Sequence, residues 1–143
     1  MPSRIFFDVR PAEVKTILGS CVAICLFDPV LRIGGMNHYM LPYWTGEGRP
    51  SEKYGDIAIE MLVEKLLNAG SSSGSLRAKV FGGAEQFGDQ PYEVGLRNVE
   101  CAKEVLYALN IPIVGFNVAG KKGRKITFTT DTGQVRLQFL PGL

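Results

Sequence analysis

The chain has 143 residues, 45% of them hydrophobic and 21% charged, with a formal net charge of +2. That length and composition predict one compact domain over residues 1–143, with a core that needs no disulfide or metal staple. So small a charge gives no argument for nucleic acid or an anionic membrane as the main partner, and neither is expected. The sequence has neither an apolar run of about eighteen residues nor an apolar leader, so a cytoplasmic protein without membrane insertion is expected.

Taken in order, the chain first offers Thr16 and then the turn-forming pair Gly19-Ser20, directly before Cys21. Two apolar runs follow, Val22 to Phe27 and Ile33 to Leu41, separated by Asp28-Pro29-Val30-Leu31, which has turn chemistry. They predict a β-hairpin. Counting the loop as Pro29-Val30 or as Asp28 to Leu31 gives the same centre of pairing, between Pro29 and Val30. Cys21 then stands directly opposite His38, on one face, with Cβ atoms about 4.5–5.5 Å apart. Gly34-Gly35 is expected to form a bulge.

A polar loop from Pro42 to about Glu52 holds Trp44, the only tryptophan. The first helix follows, with Ile57, Met61, Leu62 and Leu66 on its apolar side, Glu60 and Glu64 on the other, and Gly70 as its C-cap. Residues 71–74 form a short connector to a strand from Leu76 to Phe81 and a loop at Gly82-Gly83-Ala84. A second helix is expected from about Gly95 to Leu109, its stripe made of Leu96, Val99, Ala102, Val105, Leu106 and Leu109. Three further strands are expected at residues 113–118, 125–130 and 134–140. Helices set among hairpins without a regular strand-helix-strand repeat argue for an α+β sandwich, two helices covering one face of mixed or antiparallel sheet.

Three cysteines, Cys21, Cys25 and Cys101, without CxxC spacing read as free thiols. With one histidine, no transition-metal site and no cofactor are expected. Gly82-Gly83 and the basic turn at residues 120–125 lack the spacing of phosphate-binding loops. Cys25 and Cys101 read as small buried hydrophobes. Cys21 differs because it sits at the mouth of a strand after a Gly-Ser turn. There a sulfur can be exposed and the backbone N–H groups around Gly19 and Ser20 can face an incoming carbonyl. An imidazolium beside that thiol would lower its pKa and raise the reactive fraction. His38 is the only imidazole available, and the Thr16 hydroxyl is the candidate to orient it. Trp44, Phe87 and Tyr92 fall in loops and could line a groove.

The stretch Leu18-Gly19-Ser20-Cys21-Val22-Ala23-Ile24-Cys25-Leu26-Phe27-Asp28-Pro29, continued by Gly34-Gly35-Met36-Asn37-His38-Tyr39-Met40-Leu41-Pro42, resembles the signature of the CheD family of chemoreceptor glutamine deamidases. Lys79 to Ala84, Val94 to Asn98 and Gly123 to Gly133 resemble further segments of that family, so the likeness covers nearly the whole chain. The resemblance implies an α/β/β layered sandwich, shared with bacterial toxin deamidases, and a cysteine, histidine and threonine triad. Cys21 and His38 keep the family's separation. The threonine's interval varies by one residue, which leaves Lys15 or Thr16 for that place, and only Thr16 has the chemistry. Implied too are hydrolysis of receptor glutamine amides to glutamate through a thioester, the cytoplasmic helices of methyl-accepting chemotaxis receptors as substrate, and the CheC phosphatase as partner. Two alternatives stand beside this reading: an interaction module that binds receptor or CheC with little catalysis, and a thiol esterase acting on receptor glutamyl methyl esters.

Overall fold

The computed structural model describes residues 4–85 and 93–141. Its strands are β1 (Arg4–Asp8), β2 (Glu13–Leu18), β3 (Val22–Asp28), β4 (Ile33–Tyr39), β5 (Arg77–Gly82), β6 (Ile113–Val118), β7 (Arg124–Thr129) and β8 (Val135–Phe139). The helices are α1 (Gly55–Asn68) and α2 (Val94–Ala108), with a short 3-10 turn at Ser73–Ser75 where the sequence suggested a plain connector. Five strands form one sheet in the order β1-β4-β3-β5-β6, and three form a second, β2-β7-β8. The pairings between these strands are antiparallel except β5 with β6.

The large sheet is the middle layer. Val22, Ile24 and Leu26 of β3 pack with Ala58, Ile59, Leu62 and Leu66 of α1 and Val99, Ala102 and Leu106 of α2. On its other face, Ala23, Cys25 and Phe27 pack with Leu18, Ile126 and Phe128 of the small sheet. Because both of its faces are covered, all seven residues of β3 are buried, and the strand reads as a continuous apolar run rather than an alternation. The expected α+β sandwich, with helices over one face of mixed sheet, is what the layers form.

Several local expectations give way. Asp28 pairs with Ile33, so the hairpin loop is Pro29 to Arg32 and the pairing centre lies between Val30 and Leu31. The loop is built by the Asp28 carboxylate accepting from the N–H groups of Val30 and Leu31, and by Arg32, whose N–H donates to the Asp28 carbonyl at 2.8 Å. Arg32 adopts a left-handed φ of 58° without being Gly or Asn, so no turn-type residue marks it in the sequence. Gly34 and Gly35 form no bulge: both pair in regular register with β1 and β3. Their role is close approach, since a Cβ on Gly35 would lie 2.5 Å from the Phe6 carbonyl oxygen and 2.8 Å from Leu62. The α1 stripe runs through Gly55, Ala58, Ile59, Leu62, Val63 and Leu66, leaving Met61 exposed. On α2, Leu96 is exposed while Asn98 and Cys101 are fully buried.

Candidate active site

The corrected register puts Ala23, not Cys21, opposite His38. The shift is two residues, which preserves parity, so Cys21 remains on the face of β3 that His38 shares on β4. That face is the inner one, toward the small sheet. Cys21 packs at the edge of the core between the two sheets, and His38 reaches across the same layer to β2, its Nδ1 lying 2.7 Å from Thr16 Oγ1. Thr16 is thus the β2 residue that meets the imidazole. Lys15, its neighbour, alternates to the exposed side of the strand.

His38 is 5% exposed, and its Nε2 is buried without a hydrogen-bond partner, so the thiol and the imidazole are not bonded to each other at rest. Burial lowers the imidazole pKa to about 4 and raises that of the Cys21 thiol. Both groups are therefore neutral at pH 7, and the thiolate–imidazolium pair expected from the sequence is not the resting state. A neutral imidazole with one nitrogen held by a hydroxyl and the other free is, chemically, a general base. A cavity of about 330 Å³ between β1 and β2 reaches Thr16 and His38, with Arg4 and Lys15 among its lining.

The other thiols are differently placed. Cys25 and Cys101 are fully buried, whereas Cys21 is partly exposed. Burial drives the Cys25 thiol far above the ordinary range and that of Cys101 up to about 12, and the Cys101 thiol donates to the Pro42 carbonyl.

The turn that carries Cys21 is held by its carbonyls. Gly19 O accepts from the Ala84 N–H, Cys21 O from the Gly83 N–H, and Ser20 O from the Asn98 side-chain amide. Among the described residues, the backbone N–H groups of Gly19, Ser20 and Cys21 have no backbone acceptor. Gly82 and Gly83, which lack phosphate-loop spacing, are used here for contact. At φ of 108° Gly82 passes so close that a Cβ would lie 2.2 Å from the Cys21 carbonyl oxygen. Asn98 escaped the sequence reading, and its signal is a polar residue beside Val99 on the buried side of a helix. Trp44 is held locally, its N–H donating to Asp56 and its indole to the Glu47 carbonyl. Phe87 and Tyr92 lie outside the described residues.

Among the described residues no helix is long and apolar enough to cross a membrane. The class that emerges is a layered α/β/β protein with a cysteine at a strand mouth and a threonine-bound histidine between its two sheets. The family model of CheD chemotactic sensory transduction matches residues 40–139. Three relatives carry the name "Probable chemoreceptor glutamine deamidase CheD". That of Sulfurimonas denitrificans is 42% identical over 141 residues, covering 96% of this chain and 90% of its own length. That of Trichlorobacter lovleyi is 44% identical over 138 residues, covering 95% and 86%. That of Stenotrophomonas maltophilia is 48% identical over 143 residues, covering 99% and 72%. The chain belongs to the CheD family.

Proposed function

We propose that this protein is a protein-glutamine deamidase, a hydrolase that converts particular glutamine side chains of methyl-accepting chemotaxis receptors to glutamate in chemotactic adaptation. The family supplies the substrate class. The observation that carries the chemistry is the buried imidazole held at Nδ1 by Thr16, its Nε2 unpartnered, on the layer face it shares with Cys21.

In this reading Nδ1 carries the proton and donates it to Thr16 Oγ1, which leaves the lone pair on Nε2. As Cys21 Sγ attacks the amide carbon, its proton passes to Nε2, so no standing thiolate is needed. The oxyanion is received by the backbone N–H groups near Gly19, Ser20 and Cys21, where one donor contributes about 3 kcal/mol. His38 gives its proton to the departing nitrogen, ammonia leaves, and a thioester remains on Cys21. Water then attacks the thioester while His38 accepts its proton, and collapse restores the thiol and releases glutamate. Each turnover exchanges a neutral amide for a carboxylate, which changes receptor electrostatics and creates a site that can be methylated. The reading places the protein in the cytoplasm, with receptor cytoplasmic helices as substrate and the CheC phosphatase as a second partner.

The test is mass spectrometry of a receptor cytoplasmic fragment incubated with the parent protein, with Cys21→Ala and with His38→Ala. Amide-to-acid conversion by the parent, lost in both variants, is expected, with rates falling by at least about a thousandfold. Equal conversion in all three would overturn the reading. Binding without conversion by the parent would favour the interaction module, and release of methanol from methylated fragment would favour the esterase.

A further inference from the structure

Cys21 and His38 are not bonded to each other, and one stands in the turn before β3 while the other is on β4, so something else must set their separation. Two residues flank them closely: Ser20 precedes Cys21, and Met40 lies two places after His38. The carbonyls of both accept hydrogen bonds from one nitrogen, Asn98 Nδ2, at 3.0 and 2.9 Å. Because both acceptors are carbonyl oxygens, the amide can be oriented in only one way, with its NH₂ toward them. Separately, the Asn98 backbone carbonyl accepts from the Tyr39 hydroxyl at 2.6 Å, a tie between the end of β4 and α2 that does not involve the side chain, whose Oδ1 is buried without a partner.

We infer that Asn98 is a positioning residue for the reaction: its side-chain amide clamps the Cys21 turn to the end of the His38 strand and so fixes the nucleophile against its base. This rests on the reading of Cys21 and His38 given above. Asn98 is fully buried on α2, and its reach depends on Gly95 one turn earlier on the same side of the helix. A Cβ at Gly95 would lie 2.5 Å from the Gly83 carbonyl oxygen and 2.7 Å from that of Ala84. That glycine therefore lets α2 approach the loop that holds the other two carbonyls of the turn. Those two bonds, from Gly83 and Ala84, remain when Asn98 is changed. Loss of the clamp should then loosen the Cys21 turn without undoing the fold. No other group donates to Ser20 O or Met40 O among the described residues. An apolar replacement would strand both carbonyls.

The experiment compares the full chain with Asn98→Ala and Asn98→Asp, using receptor-fragment deamidation, thermal unfolding and peptide-resolved iodoacetamide labelling well below the lower Tm. In the alanine variant kcat should fall roughly ten- to a hundredfold, with KM nearly unchanged, since misplacement acts on the aligned attack. Labelling of Cys21 should quicken as its turn loosens, while Cys25 and Cys101 stay protected, a divergence that general unfolding would not produce. In the aspartate variant a carboxylate faces two carbonyl oxygens at neutral pH. Protonation restores one donor, so its activity relative to the parent at the same pH should climb as pH falls. Either folded variant turning over at the parental kcat, or labelling that rises equally at all three cysteines, overturns the clamp. A parent that does not deamidate overturns the site reading and the clamp with it, whereas an active parent with unaffected variants overturns the clamp alone.

Discussion

Cys21, directly before β3, and Cys25, within it, stand four residues apart and pack on the same inter-sheet core, yet the structure treats them oppositely. Cys25 is fully buried among Leu18, Phe27, Ile126 and Phe128, where the two sheets close on each other. Cys21 lies at the edge of that layer, partly exposed, while Thr16 and His38 meet each other within it. What distinguishes a structural thiol from a candidate nucleophile here is position along one sandwich layer. The inner core selects apolar contacts, and at its edge the thiol is left partly exposed.

The sharpest way to break this comparison is to measure both thiols in the native protein. Iodoacetamide should modify Cys21 roughly a thousandfold faster than Cys25, because alkylation requires an accessible thiolate. Cys21 should nonetheless react more slowly than a free thiol at pH 7, since burial raises its pKa. Reaction faster than a free thiol would mean a standing ion pair with His38 and would contradict the neutral pair.

The same burial predicts an acid sensitivity. The unfolded chain protonates its histidine near 6.5, whereas folded His38 resists protonation until about 4. Between those values the unfolded state binds more protons, so stability falls as pH drops through the window and is recovered as pH rises. The loss attributable to this group reaches about 3 kcal/mol at the acid end. Denaturant unfolding at pH 7 and pH 4 should show that difference for the parent and a much smaller one for His38→Asn. Equal acid losses in the two proteins would mean that His38 protonates freely in the fold.

How much of this was legible beforehand depends on the kind of signal. The hairpin, both helices and the last four strands carry periodicity and turn residues of their own, and the layering follows from them. The register did not, because it hangs on Arg32 taking a left-handed conformation that a sequence marks only through Gly or Asn. Parity survived because the error was two residues, which is why Cys21 and His38 still share a layer. The charge state was misread because proximity was weighed without burial. Asn98 lies 77 residues beyond Cys21 in the chain, and a contact made across that distance leaves no local pattern.

The mildest expected effect belongs to Thr16, and it separates orientation from packing. Thr16→Val keeps the branched shape at the inner face of β2 but removes the hydroxyl that meets His38 Nδ1 at 2.7 Å. The imidazole then loses its tautomer preference, so part of the population carries the proton on Nε2, where it cannot accept from the thiol. kcat should fall about tenfold while KM holds, and Thr16→Ser, which retains the hydroxyl on a freer rotor, should recover most of the rate. Equal rates for the valine variant and the parent would show that the layer's walls alone orient the ring, leaving the hydroxyl as a mere partner for a buried nitrogen.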